Sequence, residues 1–371
     1  MEAVPVEGWA FVPPELPPVL DWERVLGRLW DPLSRASAAL ARLEGIDATV
    51  PVLRPIWIRE VQASSEIEGT VATIEEVALA ATGHAFERDA PREVWNNLRA
   101  LEHGINSPQG FSRGLLREMH AILFEGVAGE TDRPGEFRQT PAYIGDPRRG
   151  FGQARFVPPP PERVEGLLAD LERYVNREDR HTPALVRVAL AHYQFEAIHP
   201  FADGNGRLGR LLVARSLCKE GLLSRPLVSI SSYIGRRRAA YYGGLLRVST
   251  HGTEGAWEEW LRFFLEAVAD QARDVELRSA RLRGLREDMV TRVASRREPS
   301  DAMVRLIDAL FEQPALSVPG AAERLGQPQT TVRRNVERLV EEGILAEATG
   351  GKYDRRYVAP AIIKVAEEEI G

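Results

Sequence analysis

A segment of twelve residues, 199–210, limits the folds open to this chain more than any other feature. Apolar side chains recur with helical spacing before it, over residues 183–198, and again over residues 205–219. Gly204 and Gly206 stand at the junction, and glycine lets a backbone turn sharply. The pattern predicts two consecutive helices joined by a short bend, with the first turn of the second helix at that bend.

Two side chains of this segment suit the transfer of a phosphate-containing group. His199 has the side chain whose unperturbed pKa lies nearest neutrality, so it can accept a proton from an attacking hydroxyl. Asp203 offers the hard oxygen that Mg²⁺ prefers, since this ion usually binds one or two carboxylates together with substrate phosphates. The two residues predict a base and a metal ligand within one bend.

The other polar residues of the segment suit an anion. Gly204 and Gly206 let the backbone approach it closely, and Asn205 would begin a helix whose free amide groups point towards it. Arg207 and Arg210 stand three positions apart, so they share one helix face and can both reach a polyphosphate. The segment therefore predicts a polyphosphate site beside the base.

Segment 199–210 resembles the Fic-family motif HxFx(D/E)GNGRxxR at every defined position. The resemblance implies an adenylyltransferase that uses ATP as substrate and Mg²⁺ to transfer AMP to a Ser, Thr or Tyr hydroxyl of a target protein. A minority of similar proteins transfer other phosphate-containing groups or reverse the reaction. By this resemblance the segment supplies the general base His199, the magnesium ligand Asp203, the phosphate cradle Gly204, Asn205 and Gly206, and the β- and γ-phosphate contacts Arg207 and Arg210.

Two other interpretations of the segment compete with this one. Residues 204–209 formally satisfy GxGxxG, a dinucleotide fingerprint, but that motif requires a preceding strand and an acidic residue about twenty positions further on. A helix is predicted before it and no such acidic residue follows, which disfavours a dinucleotide site. The second alternative is a folded relic that keeps the motif without turnover.

Composition excludes several classes of protein. The 371 residues predict two or three domains. Lysine and arginine number 48 against 54 acidic residues, and the net charge of −6 argues against broad adhesion to nucleic acid or anionic membrane. Cys218 is the only cysteine, which excludes an intrachain disulfide and a cysteine-rich zinc site. Without a signal-peptide pattern or an apolar run long enough to span a bilayer, we expect a cytoplasmic protein with no membrane partner.

Helical spacing over most of the chain predicts a mainly α fold. We expect residues 1–90 to form an N-terminal helical region and residues 273–298 a helical linker. By resemblance, residues 91–272 form a Fic helical core with a β-hairpin flap, and residues 299–371 form a winged helix-turn-helix domain.

The flap prediction comes from two short β-prone runs, 141–145 and 154–158, around a tip at 146–152. With the run Gly-Glu-Phe-Arg at 135–138, they resemble the family flap, whose strand edge pairs with an extended target segment. A surface hairpin without a partner fits these residues equally well.

Tyr233 and Tyr241 are candidates for contacts with adenine. The stretch that contains them resembles a family segment near the nucleotide. A position in the core is the more common fate of such tyrosines, and the sequence leaves both alternatives open.

A second motif precedes the catalytic segment. Residues 55–67 have helical character, and Ser64, Glu68 and Gly69 at the end of this helix match the family's inhibitory pattern (S/T)xxxE(G/N). By resemblance, Glu68 would pair with Arg210 and occupy the space of the γ-phosphate, so ATP would bind unproductively. An ordinary helix end with glycine at C′ is the alternative.

The C-terminal residues predict helices at 301–313, 317–325 and 329–342, and strands at 343–347 and 352–358, an arrangement that resembles a winged helix. The recognition helix would then carry Thr330, Thr331, Arg333, Arg334 and Arg338, and the wing would carry Lys352, Arg355 and Arg356.

Charge does not decide what this C-terminal part binds. Residues 299–371 hold nine basic and twelve acidic residues, which disfavours DNA, while the local arginines permit it. DNA binding and protein docking or homodimerisation both stay open. Two further alternatives for the whole chain are a transcription regulator that only senses a nucleotide and an enzyme that removes AMP, in which Glu68 orients water.

Overall fold

A computed structural model of the protein describes residues 10–46, 53–127, 133–145, 154–177, 181–295, 301–350 and 354–369. The chain divides into two compact units that do not follow chain order. One comprises residues 1–44 and 99–272, and the other residues 45–98 and 273–371. The predicted N-terminal region 1–90 is thus divided between the units, whereas the predicted end of the core at residue 272 coincides with a unit boundary.

Regular structure in the described residues is mainly α-helical, as the sequence predicted. None of these helices combines the length and the apolar character needed to cross a bilayer. The helices are α1 (Trp22–Leu43), α2 (Leu53–Ile67), α3 (Ile74–Ala80), α4 (Ala90–Asn106), α5 (Arg113–Leu123), α6 (Pro161–Asn176), α7 (Ala184–Ile198), α8 (Asn205–Lys219), α9 (Ser231–Arg236), α10 (Arg238–His251), α11 (Glu254–Ala294), α12 (Asp301–Glu312), α13 (Val318–Leu325), α14 (Gln329–Glu341) and α15 (Pro360–Glu367).

Helix α7 forms the centre of the first unit. It packs against α6, α8 and α10 and is apolar around its circumference, as a helix enclosed by protein requires. The indole Nε1 of Trp260 donates a hydrogen bond to the carbonyl oxygen of Ala189 at 3.1 Å. The hydroxyl of Tyr193 lies 2.9 Å from Ser249 Oγ. These contacts hold α7 firmly, so its C-terminal end has a defined position.

The second unit joins the N-terminal helices α2 and α3 to the C-terminal residues. Helix α2 packs against α12 and α15, and α3 packs against a three-stranded antiparallel sheet. Gln313 Nε2 donates to the carbonyl oxygen of Ala78 at 2.8 Å. The sheet has the order β1-β3-β2, with β1 at Ala315–Ser317, β2 at Ala346–Glu347 and β3 at Arg356–Val358.

Most predicted elements of the C-terminal part are present with small changes of boundary. The three helices α12, α13 and α14 and the two strands β2 and β3 occur in the predicted order. The sequence did not predict β1 or α15. The reason is that β1 has only three residues and acquires its partner from β3, where Ala315 lies opposite Val358.

The predicted linker 273–298 continues α11 as far as Ala294 and contributes to the core of the second unit. Arg278 on this stretch is fully buried and donates hydrogen bonds to the carbonyl oxygens of Val365, Ala366 and Glu368. Its guanidinium also pairs with Asp274 at 2.9 Å. This part of the helix therefore fastens the end of α15.

A capping box begins α3. The amide of Thr73 donates to Glu76 Oε2 at 2.8 Å, and the amide of Glu76 donates to Thr73 Oγ1 at 3.1 Å. Three predictions lie outside the described residues: the hairpin tip at 146–152, the domain boundary at 298–299, and the wing residue Lys352.

Candidate functional site

The bend between α7 and α8 depends on two residues with left-handed backbone angles. His199 follows α7 directly with φ 50° and ψ 62°, and Gly204 precedes α8 with φ 77°. A Cβ atom at Gly204 would lie 2.9 Å from Phe124 Cε2, so the position excludes any larger side chain. The bend therefore requires glycine at 204 for both backbone angle and space.

Arg138 holds the backbone of the bend at His199. Its Nε donates to the carbonyl oxygen of His199 at 2.8 Å, and its own amide donates to the carbonyl oxygen of Pro200 at 2.9 Å. The side chain is buried, and burial lowers its pKa to about 10, which still leaves it charged at neutral pH. A left-handed conformation costs a residue other than glycine about 1–2 kcal/mol, and these hydrogen bonds offset that cost.

The side chain of Asn205, at the start of α8, holds the backbone of the bend at Phe201. Its Oδ1 accepts from the amide of Phe201 and its Nδ2 donates to the carbonyl oxygen of the same residue, both at 2.9 Å. The sequence predicted Asn205 as part of a phosphate cradle. The side chain is instead committed to the backbone of Phe201 and is 2% exposed, so only the backbone amide of Asn205 stays available for that role.

The start of α8 suits an anion for a simple reason. Gly204 is the N-cap residue and has no side chain with which to bond the amides of the first turn. These amides and the positive end of the helix dipole face the bend. Gly206 lies in this same turn. The predicted backbone cradle is therefore consistent with the geometry.

Asp203 and Arg207 form an ion pair at the bend. Arg207 Nη2 lies 3.2 Å from Asp203 Oδ2, and Asp203 Oδ1 accepts from the amide of Gly204 at 2.6 Å. The guanidinium carbon of Arg207 lies 5.0 Å from the ring centroid of Phe124, a cation–π distance. Arg207 is buried, and so is Arg210 one turn later on α8. The bend thus gathers two positive charges where the sequence predicted a polyphosphate.

His120 on α5 contacts the bend from outside the motif. Its Nε2 lies 3.0 Å from the carbonyl oxygen of Asp203, and its ring stacks on Phe201 with a centroid distance of 3.9 Å and an interplanar angle of 5°. Burial, more than any charge, lowers the pKa of His120 to about 4, so the ring is neutral at pH 7. Phe201 therefore has a packing role at the bend.

Tyr241 is a core residue. It is 1% exposed, and its hydroxyl lies 3.0 Å from Nε2 of His192, whose Nδ1 lies 3.2 Å from the carbonyl oxygen of Gly209. Because a carbonyl can only accept, Nδ1 donates and Nε2 accepts from Tyr241. Of the two alternatives for Tyr241, the structure therefore favours packing, and the predicted adenine contact has no exposed ring face here.

Tyr233 packs between an aromatic ring and a cation. Its ring lies 5.4 Å from that of Phe263, and the guanidinium carbon of Arg237 lies 4.2 Å from its centroid. Partial burial raises the pKa of its hydroxyl, so the group stays protonated at neutral pH. An adenine contact at Tyr233 stays a prediction.

The predicted flap has one antiparallel bridge in the described residues. The amide of Ile144 donates to the carbonyl oxygen of Phe156 at 2.8 Å. On the other side of this strand, the amide of Phe11 donates to the carbonyl oxygen of Val157 at 2.8 Å, so residues near the N-terminus cover part of its edge. Within the described parts of the two predicted runs, bridge pairing is limited to Ile144 and Phe156.

The predicted inhibitory motif lies at the end of α2 in the second unit. Ser64 is buried, whereas Glu68 is exposed and follows the last residue of the helix. Gly69 has φ 92°, its amide donates to Glu66, and the amide of Thr70 donates to the carbonyl oxygen of Ser65 at 3.0 Å. This is a Schellman ending with glycine at C′, so the glycine of the motif serves the helix end.

Sequence reasoning missed His120 and His192 as residues that shape the bend. Both lie inside helices, at positions where nothing in the local pattern distinguishes them from ordinary half-polar positions. Arg138 was noticed only within the run 135–138. Its role depends on the carbonyl of His199, which lies 61 positions further along the chain.

Comparison with known proteins places these features in a family. Residues 110–217 match the Fic/DOC family, and residues 30–106 match the N-terminal region of that family. The crystal structure of a Fic family protein from Desulfovibrio desulfuricans G20 has a similar fold, with a TM-score of 0.54 and 25% identity over 94% of this chain and 98% of that one.

Curated relatives share the same region. A protein adenylyltransferase Fic of Drosophila grimshawi is 34% identical over 247 residues, 64% of this chain and 44% of the relative. A probable protein adenylyltransferase of Aquifex aeolicus (strain VF5) is 37% identical over 98 residues, 26% of this chain and 30% of the relative. The chain thus spans less than half the length of these curated relatives. The two adjoining matches and the bend at 199–210 identify the chain as a member of the Fic/DOC family.

Proposed function

We propose that this protein is an adenylyltransferase that transfers AMP from ATP to a Ser, Thr or Tyr hydroxyl of a target protein. The observation that carries the proposal is the α7–α8 bend, where His199 stands beside an uncapped helix N-terminus and two buried arginines. The names of the curated relatives support the reaction type.

In the proposed reaction, His199 removes the proton from the target hydroxyl. The hydroxyl oxygen then forms a bond to the α-phosphorus of ATP, while the bond from that phosphorus to the bridging oxygen breaks. AMP stays on the target and pyrophosphate leaves with the released electron pair. The left-handed backbone of His199, held by Arg138, orients the imidazole for this step.

The phosphates would bind at the start of α8. The first-turn amides of Asn205, Gly206 and Arg207 are suited to oxygen atoms of the triphosphate. The side chains of Arg207 and Arg210 add positive charge that opposes the charge developing on the leaving pyrophosphate. Removing one such donor typically lowers kcat by about 100-fold to 1000-fold.

The donor set fits a magnesium ion that arrives with ATP. Within the described ranges, no group of three or more His, Cys, Asp and Glu side chains is arranged to hold a metal, so a cage made of protein alone does not fit. Asp203 is a single, partly exposed carboxylate beside the phosphate cradle, and Mg²⁺ commonly uses one such ligand with substrate phosphates. Asp203 would hold the ion, which when bound neutralises phosphate charge and polarises the reacting phosphorus.

We further propose that Glu68 inhibits the enzyme. This part rests on the sequence pattern Ser64, Glu68 and Gly69 and on its order before the catalytic motif. Exposure of Glu68 at the end of α2 is compatible with a role towards another group, while the Schellman ending accounts for Gly69 alone. The purified protein is then expected to have little AMP-transfer activity, and Glu68→Gly is expected to raise that activity.

For the C-terminal residues we propose a winged helix. The element order α12, β1, α13, α14, β2, β3 and the antiparallel sheet support it. Arg333 and Arg334 are exposed on α14, the position of a recognition helix. Salt-dependent retention on duplex DNA, lost in the double variant Arg333→Ala and Arg334→Ala, would distinguish DNA binding from protein docking.

The central experiment uses the Glu68→Gly protein with Mg²⁺ and ATP labelled at either the α- or the γ-phosphate. We expect protein-bound label from the α-labelled nucleotide only. The double variant that also carries His199→Ala should show no label with either nucleotide. Label from the γ-phosphate would indicate phosphoryl transfer instead. Absence of label with both nucleotides, in the presence of a cell extract that supplies targets, would remove the proposal of AMP transfer.

A further inference from the structure

A buried side chain outside the catalytic motif connects the bend to the segment that leads into the flap. His120 accepts a hydrogen bond at Nδ1 from the amide of Gly135 at 2.8 Å, and its Nε2 lies 3.0 Å from the carbonyl oxygen of Asp203. We propose that His120 is a positioning residue, which fixes the turn at Asp203 relative to the segment before the flap. The inference rests on the proposed function, because it concerns how that site is held in its active geometry.

The two hydrogen bonds define the protonation of the ring. A backbone amide can only donate, so Nδ1 of His120 must accept from Gly135. A carbonyl oxygen can only accept, so Nε2 must carry the hydrogen that bonds Asp203. His120 therefore exists as the neutral Nε2–H tautomer, and each nitrogen serves one of the two segments.

The ring has little freedom to rotate away from this position. It stacks on Phe201, and the ring of Phe124 lies at a centroid distance of 4.9 Å. The backbone of Phe201 is itself held by two hydrogen bonds with the Asn205 side chain, one donated by the Phe201 amide and one donated by Asn205 Nδ2. A displacement of the segment around Gly135 would therefore move His120, and with it Phe201 and the bend, because these groups are in direct contact.

Arg138 provides a second connection between the same segment and the bend. The amide and side chain of Arg138 hold Pro200 and His199, while His120 holds Asp203. The backbone of the base and that of the metal ligand are therefore tied to one short stretch, 135–138. A displacement of about 1 Å can cost a reaction about 100-fold in rate, so this shared support matters for turnover.

Two substitutions separate the two bonds of His120. The side-chain oxygen of His120→Asn can replace the acceptor Nδ1, whereas the amide nitrogen of His120→Gln can replace the donor Nε2. Made in the Glu68→Gly protein, His120→Asn is expected to lower kcat roughly tenfold or more while KM for ATP changes by less than about twofold. His120→Gln is expected to lower kcat as well, but by a smaller factor, because it keeps the bond to Asp203 and loses only the bond to Gly135. A kcat in His120→Gln equal to that of the Glu68→Gly protein would mean that the bond to Gly135 has no role.

The matched control is His103→Gln, which removes a half-exposed histidine paired with Glu118 in the same unit. We expect it to leave kcat unchanged. Equal losses of kcat in His120→Asn and His120→Gln would mean that the ring only fills space, and unchanged kcat in both would mean that the link has no role. Either outcome overturns the inference.

A measurement that does not depend on enzyme activity tests the same link. With nitrogen-labelled histidine, the spectrum of the full chain contains seven imidazole rings, and His120 is identified by loss of its signals in His120→Gln. We expect the Nε2–H tautomer at neutral pH. A ring protonated at Nδ1 would overturn the inference, even if the Glu68→Gly protein transferred no AMP and the proposed function had failed on its own.

Discussion

Replacement of Asn205 by alanine tests whether this side chain holds the bend or binds phosphate. In the structure, both polar atoms of the amide bond the backbone of Phe201, which is fully buried. Asn205→Ala therefore leaves one amide and one carbonyl without partners. Each such buried group costs about 1–3 kcal/mol, so we expect the bend to lose about 2–6 kcal/mol of stability.

Amide hydrogen exchange measures this loss locally, which is necessary because a chain with two units need not unfold in one step. We expect the amide of Phe201 to lose most of its protection in Asn205→Ala. Asn176→Ala is the matched control, because Asn176 also makes two side-chain bonds but is exposed: Nδ2 donates to the carbonyl oxygen of Phe111, and Oδ1 accepts from Lys219 Nζ. Its effect should stay near 1 kcal/mol.

The opposite result would restore the interpretation drawn from the sequence. If Asn205→Ala kept the protection of the Phe201 amide and instead raised KM for ATP many-fold, the side chain would be a phosphate contact. Asn205→Asp sharpens the distinction. It keeps an acceptor for the amide of Phe201 but turns a carboxylate oxygen towards the carbonyl, so we expect it to destabilise the bend at least as much as alanine does.

Three further predictions concern stability. Gly204→Ala should lower the free energy of unfolding by about 1–3 kcal/mol, measured by thermal unfolding, because it adds a Cβ atom against Phe124 at a positive φ. Burial lowers the pKa of His192 to about 3 from its ordinary 6.5, so the folded protein resists protonation there, and stability falls as pH drops below about 6.5. Between pH 7 and pH 5 we expect His192 to account for a loss of roughly 2 kcal/mol, so the loss in His192→Gln should be smaller by about that amount in urea titrations at the two pH values. Arg278→Ala leaves Asp274 and the last carbonyls of α15 with fewer partners, and should destabilise the second unit by about 3 kcal/mol in hydrogen exchange.

Local patterns were sufficient to predict most of the helices and the position of the bend. Helical spacing and the glycine at Gly69 act within a few residues, and the structure has α2 where these signals place it. The position of glycine at 204 is likewise a local requirement for a left-handed turn. Such features are visible in sequence because the atoms that interact are neighbours in the chain.

The supports of the bend could not be predicted in the same way. His120 and Asp203 are separated by 83 positions, and the pairing of β1 with β3 joins residues 315 and 358. Asn205 shows a different difficulty. Its type and place suit a phosphate contact, and only the position of the Phe201 backbone reveals that the side chain is already used.

Each of the two compact units is built from separate stretches of the chain. Helices α2 and α3 bury their apolar faces on α12, α15 and the sheet, and Arg356 Nε donates to Thr82 Oγ1 at 3.0 Å. A chain ended before residue 299 would therefore expose surfaces of α2 and α3 that are buried in the whole protein, at about 25 cal/mol for each Å² of apolar area. Glu68 follows α2 directly, so the segment proposed to inhibit the enzyme shares its core with the C-terminal residues. Any ligand that binds the folded form of those residues stabilises that shared core by mass action, and α2 with it.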